Sequence, residues 1–240
     1  MKFVFLFLLF IFTTTASATT TVGEILLVKG TVKVKTSNSI KKSNVKIGEE
    51  IHAGDLIVSS KNSSVQIKLK DGSSLVLDEL STIHFSSLYR AEQSGGKILY
   101  DITSRNAKNS LKIKTPFAVI GIKGTTFIIN ATKESSVSLK EGLIGVTSLN
   151  EDFALYRKKI EKEFNDYRAA QDAAMKAQMD GFEKYKNKQQ EYAEVTYTKE
   201  FDLKAGNKIS FDGLEAKESA FKSEEDDAFK HFKKLIDRMQ

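Results

Sequence analysis

Apolar residues recur along this chain in short groups, and from Val22 to about Leu149 glycines and polar turns separate them. Gly23 precedes Glu24-Ile25-Leu26-Leu27-Val28, and Gly30 precedes Thr31-Val32-Lys33-Val34. After a polar loop come Val45–Ile51 and Ala53–Val58, and later Gly95–Ile102, Ser110–Thr115 and Ser136–Val146. Short strands at regular spacing with turn signals between them predict a mainly β domain, a sandwich, barrel or β-solenoid. The longest apolar passage beyond the N-terminus, Thr115 to Ile129, is apolar on both faces, which predicts a strand buried on two sides. Pro116, the only proline, can only open such a strand, because it has no N–H for the ladder. Gly121 and Gly124 predict a bulge, or a place where another backbone comes close. The passage therefore reads as one central strand, bent in the middle.

Register is testable at Val65 to Leu77. A two-residue Asp71-Gly72 loop sets Leu75 and Leu77 opposite Lys68 and Gln66, mixing apolar and charged residues on one face. A three-residue loop, Asp71 to Ser73, pairs Leu69 with Leu75 and Ile67 with Leu77, so the longer loop or a bulge is expected.

Beyond Leu149 the period changes. Phe153, Tyr156, Ile160, Phe164 and Tyr167, then Ala170, Ala174 and Ala177, then Phe182, Tyr185 and Tyr192 recur at helical spacing, which predicts a helical insertion over 150–194. Asn150 is its expected N-cap, and at 1.5 Å per residue it would run about 60 Å. Strands are expected to resume over 195–212. A second helix is expected over 213–240, opened by a capping box at Asp212-x-x-Glu215. Its stripe is Leu214, Phe221, Ala228, Phe229, Phe232, Leu235, Ile236 and Met239. The two helices are expected to pack as an antiparallel, coiled-coil-like arm or to flank the sheet. Their stripes are read first as core packing, with a partner groove or self-association as the functional alternative.

Met1-Lys2, the apolar run Phe3 to Phe12 and the small-residue end Ala16-Ser17-Ala18 form the pattern of a secretory signal peptide over 1–18. The run is too short to span a bilayer, which takes about 20 apolar residues. The expected mature chain begins at Thr19, has no transmembrane segment, and is periplasmic or secreted. It contains no cysteine, so its core must hold without disulfides. The formal charge of +6 is uneven: residues 1–149 hold 19 of the 37 Lys+Arg and 11 of the 31 Asp+Glu, leaving 18 and 20 for 150–240. Lysines alternate with apolar residues at Val32-Lys33-Val34-Lys35, Ile67-Lys68-Leu69-Lys70 and Lys112-Ile113-Lys114. The plain reading is a solvated sheet face that discourages edge pairing. The sharper one is a basic surface for a protein partner or an anionic envelope polymer. Nucleic acid does not suit an exported protein.

No catalytic pattern emerges. His52, His84 and His231 share no metal-ligand spacing, and Gly121-x-x-Gly124 is followed by Thr125 and not by the Gly-Lys-Ser/Thr of a phosphate loop. Glu49-Glu50 and Asp78-Glu79 are adjacent pairs, which on a strand point to opposite faces. The chain is expected to bind without catalysing, with no cofactor and no metal.

Gly54-Asp55, Asp71-Gly72-Ser73, Thr115-Pro116-Phe117, Gly124-Thr125-Thr126-Phe127 and Glu141-Gly142 stand in an order and spacing that resembles the FecR domain. The resemblance covers about Gly23 to Leu149, here taken as a β domain over 19–149, and resumes at Phe201–Phe211. It implies a FecR-like β fold in which Asp71, Gly72, Pro116, Gly121, Gly124, Thr125, Phe127 and Gly142 are structural positions. The best-known members are inner-membrane signal transducers, in which a cytoplasmic segment and a membrane helix precede the domain. Here a short cleavable signal stands in that place, so the resemblance implies the periplasmic, partner-binding half of the role. The expected function is an exported binding or scaffolding module of the bacterial envelope, and the alternative is a periplasmic component of a FecR-type regulatory system.

Overall fold

The computed structural model describes residues 20–103, 110–122, 124–157 and 194–239. The expected signal peptide and residues 158–193 of the expected helical insertion lie outside them. Along the chain the strands are β1 (Thr21–Lys29), β2 (Val32–Lys35), β3 (Ser43–Asn44), β4 (Glu50–His52), β5 (Leu56–Ser59), β6 (Ser64–Leu69) and β7 (Ser74–Leu77). There follow β8 (Thr82–Ser87), β9 (Arg90–Ile102), β10 (Leu111–Lys114), β11 (Val119–Ile122), β12 (Thr125–Ala131) and β13 (Ser136–Glu141). The last are β14 (Leu143–Thr147), β15 (Phe153–Arg157), β16 (Glu194–Thr198), β17 (Glu200–Lys204), β18 (Asn207–Asp212) and β19 (Glu215–Ala220), before helix α1 (Ser223–Met239).

The strands form two layers that share β9. The long sheet runs β4-β1-β6-β7-β9-β12-β13-β18-β19-β15-β16. The short sheet runs β3-β2-β5-β8-β9-β10-β11-β14-β17. The first half of β9 pairs with β8 and β10, and the second half with β7 and β12. It passes between the layers at Gly95-Gly96. Gly96 has φ +78°, and a Cβ there would stand 2.3 Å from the Cα of Ser81, so only glycine lets the strand turn against the β7–β8 connection.

Alternation then fills one core from both layers. The long sheet contributes Ile67, Leu75, Ile98, Tyr100, Phe127, Ile129, Val137 and Ile209. The short sheet contributes Val34, Ile57, Ile83, Ile113, Ile120, Ile144 and Leu203. Tyr100 stacks on Phe127 with ring centroids 4.9 Å apart and donates its hydroxyl to Gln93 Oε1 at 2.9 Å. Gln93, fully buried, in turn donates to the carbonyls of Gly96 and Ile129. Burial pushes the Tyr100 phenol well above its ordinary pKa, so it stays a donor.

Several expectations are corrected. The β-solenoid is not found: successive coils of a solenoid stack in parallel, whereas among the described residues only β9–β10 and β15–β19 are parallel pairs. Thr115 to Ile129 is not one bent strand. It is a turn at Thr115–Ala118, held by Thr115 Oγ1, then β11 in the short sheet and β12 in the long sheet, with Gly124 at φ +109° where the chain changes layer. Pro116 sits in that turn, ahead of β11 and not inside it. The 65–77 hairpin has a three-residue loop, as expected, but at Lys70–Gly72: Ile67 faces Leu75 and Val65 faces Leu77, with Leu69 N–H bonded to Ser73 O. The one-position slip keeps apolar opposite apolar, so the parity argument still holds.

The segment after Leu149 is not helical where it is described. Phe153–Arg157 and Glu194–Thr198 are paired strands, with Phe153 and Leu155 in the core and Tyr156 on the other face. Asp212 and Glu215 do not cap a helix. They close the β18–β19 hairpin across Gly213-Leu214, and the helix starts only at Ser223. Its real cap is Glu225, whose carboxylate accepts Lys222 N–H at 2.8 Å and the Lys208 ammonium at 2.9 Å, the reach-back half of a capping box. Burial disfavours the Glu225 charge, but these hydrogen bonds win and hold its pKa below the ordinary carboxylate value. Because the folded pKa is depressed, the stabilisation is present above the unfolded value and disappears as pH falls through the folded one. Acidification should therefore cost wild type about 1.5 kcal/mol more than Glu225→Gln, the scale of a charge-assisted hydrogen bond. Urea melts at neutral and acid pH check this, and parallel losses in the two proteins would show the cap to be unimportant.

Candidate partner-binding face

The two outer faces of the sandwich differ. On the long sheet, the residues that alternate with the core set point outward at Val76, Leu99 and Ile128, and α1 covers them with Phe232 and Leu235, flanked by Phe229, Ile236 and Met239. His231 Nε2 lies 2.9 Å from Asp78 Oδ2 beside this seam. The apolar stripe expected for a helical arm is thus taken up by the sheet, the flanking arrangement. Leu214 is left in a hairpin turn, and Phe221 lies before the helix, its ring 5.9 Å from that of Phe229.

The short sheet has no described helix or strand over its outer face. Two cross-strand rows build it. One reads Lys35, Leu56, His84, Glu92, Lys114, Val119, Thr147, Glu200 from β2 to β17. The next reads Arg90, Lys112, Gly121, Gly145, Asp202. Lys33 lies beside them on β2. Val32, Val34, Leu111 and Ile113 fill the core, so the lysines between them must point out. Lys114 and Glu92 pair at 3.7 Å, an exposed contact of small worth. Among the described residues, Lys33, Lys35, Arg90 and Lys112 have no carboxylate partner. The lysines of the second alternating stretch lie on the long-sheet side instead, Lys68 on β6 and Lys70 in the loop that follows it, 3.8 Å from Glu50.

The eight positions singled out from the sequence do not line this face, apart from Gly121, which sits in the second row opposite Gly145. Most gather at one rim of the long sheet. Asp71 accepts from Ser73 N–H and Oγ, Gly72 turns the hairpin at φ +86°, and the Ser73 hydroxyl reaches Thr103 at the end of β9. Two strands away, Gly142 has φ +91°, and a Cβ there would stand 2.5 Å from both Gly124 O and Thr125 Cγ2. Gly124-Thr125 therefore seats its backbone and methyl group on the bare Cα of Gly142, and Phe127, two residues on, anchors in the core against Tyr100. Pro116 stands apart, in the β10–β11 turn.

The rim explains a sequence pattern by packing. Residues 55–145 match the FecR protein family. No curated protein matches the sequence. The fold is similar to two crystal structures, at 1.65 and 2.50 Å, of a protein from Parabacteroides distasonis ATCC 8503 provisionally described as an anti-sigma factor. The identity is 13% in both, with TM-scores of 0.47 and 0.46 and 72% of this chain covered. The chain spans 63% of the length of those proteins.

The FecR match runs from β5 into β14 and so takes in the β9 crossing, the rim and Arg90, Lys112 and Lys114, while α1 lies beyond it. Sequence reasoning passed over Arg90 and His84 as members of the face. Alternation at Ile83-His84-Phe85 was the available signal for His84. Arg90 had none, because its neighbours Tyr89 and Ala91 show no clear period. Among the described residues no group of three or more His, Asp or Glu could hold a metal ion, and no helix is long and apolar enough to cross a membrane. The three histidines fall on β4, β8 and α1.

Proposed function

We propose that the protein is the envelope-side component of a FecR-type regulatory system, and that it binds a protein partner without chemistry of its own. The observation that carries this reading is the FecR match over 55–145, which moves the balance from a passive scaffold to a regulatory component. The face supports the mode of contact. One side of the sandwich is sealed by α1, and the other presents Arg90, Lys112, Lys33 and Lys35 toward solvent. Cations free of internal partners favour a partner with an acidic surface, and they raise encounter rates more than final affinity.

Deleting the gene in its host is expected to change transcription of a limited set of genes. Wild type restores it, and an Arg90→Glu, Lys112→Glu double variant at equal protein level does not. Both substitutions are on exposed side chains and should leave melting within about 0.5 kcal/mol of wild type. A deletion that alters envelope integrity with no transcriptional change would return the scaffold reading to first place.

A further inference from the structure

A cleft lies on the outer face of the short sheet across β2, β5 and β8, away from the rim. Its walls are Lys35, Thr36, Ser37, Gly54, Leu56 and His84, and it holds about 260 Å³. We propose that it binds an acidic sugar, a single carboxylate on a body the size of a monosaccharide. The inference does not rest on the regulatory reading above.

Size comes first. Clefts for drug-sized ligands begin at about 300 Å³, so this one suits something smaller. Its floor and sides come from one cross-strand row, Lys35–Leu56–His84. Adjacent strands lie about 4.8 Å apart, which places the Lys35 and His84 Cα atoms about 10 Å apart on either side of Leu56. Half-buried Leu56 offers an apolar floor for the C–H face of a ring. Lys35 supplies a cation to one side of it, and Thr36 and Ser37, the residues that leave β2, bring two hydroxyls that can donate or accept.

The wall is preformed. Gly54 has φ +95°, and a Cβ there would stand 2.6 Å from Ser37 Cβ, so the bare glycine is what lets the Ser37 side of the cleft come this close. Gly54 N–H is held by Phe85 O, and Phe85 N–H by Asp55 O. The buried Asp55 carboxylate accepts His52 N–H at 2.8 Å. A turn fixed this firmly loses little entropy on binding.

Charge gives the class. Glu92, next to His84 in the row, is already engaged by Lys114. Lys35 has no carboxylate partner among the described residues and Lys33 lies two residues before it on the same face, so the local balance is positive and a carboxylate fits it. A neutral sugar would leave Lys35 unused.

The test is a titration of the full chain, uniformly labelled with nitrogen-15, with glucuronate, glucose and inorganic phosphate in separate arms. Glucuronate is expected to give saturable amide shifts confined to residues 35–37, 54–56 and 84. Lys35→Gln, an exposed substitution, should weaken that binding about tenfold, one charge-assisted hydrogen bond's worth. Saturable binding of glucose at the same amides would remove the anion from the proposal, and phosphate binding as tightly as glucuronate would remove the sugar. No saturable shift at these residues, or equal affinity in Lys35→Gln, would overturn it entirely.

Discussion

Gly96→Ala is expected to destabilise the protein by about 3 kcal/mol, while Gly206→Ala costs about 1 kcal/mol. Both glycines have φ +78°, so the backbone penalty for an L side chain is the same. Their surroundings differ. Around Gly206 nothing lies within 4 Å of an added Cβ, whereas at Gly96 it would meet Ser81 Cα and Oγ at 2.3 Å and Leu80 O at 2.7 Å. Ser81 cannot retreat cheaply, because its hydroxyl accepts Lys97 N–H and donates to Lys97 O, and its own N–H is held by Ser59 Oγ. The added methyl must therefore separate β9 from the β7–β8 connection at the point where the strand changes layer. Urea denaturation of the two variants side by side isolates the steric part. Equal losses would show that the crossing has room to spare.

Phe232→Ala should cost about 3–5 kcal/mol, the range for removing a buried aromatic ring. Phe232 is fully buried against Val76 and Ile128 with Leu235 beside it, and apart from the buried Glu225 bonded to Lys208 the other contacts of α1 with the sheet are partly exposed. Loss of the ring should therefore release the helix before it disturbs the sandwich. Amide exchange is expected to speed up through α1 and across the outward positions of β7 and β12, while Ile98 and Tyr100 in the shared strand keep their protection. Uniform acceleration in helix and core would instead mean that α1 and the sandwich unfold as one unit.

The strands of the first half could be read from the sequence because each buries one face, and alternation at Val32–Lys35 or Leu111–Lys114 has no other structural meaning. The rim was legible in part. The glycines pointed to close backbone approach, and Gly142 against Gly124-Thr125 is such a place, but their partnership is set by tertiary pairing between β12 and β13. The same cause accounts for the errors. Phe153 and Tyr156 are three apart, a helical spacing, yet it is Phe153 and Leu155 that share a face once β15 is flanked by β16 and β19. Glu215-Ala-Lys-Glu-Ser-Ala220 has the composition of a helix, but pairing with β18 on one side and β15 on the other overrides propensity. Asp212-x-x-Glu215 fits a capping box and a hairpin turn equally well, and only the neighbouring strands decide. The basic face was visible as alternating lysines, but not which lysines share a sheet.

The order in which the layers are completed carries a consequence for biogenesis. Val76 and Ile128 wait for Phe232, more than a hundred residues later in the chain, so during synthesis the long sheet can assemble with its outer apolar strip still wet. In that interval the strip is a sticky surface of the kind that drives off-pathway association. A chain that stops short of the seventeen residues of α1 should therefore accumulate as aggregate, even though every strand needed for the sandwich is present.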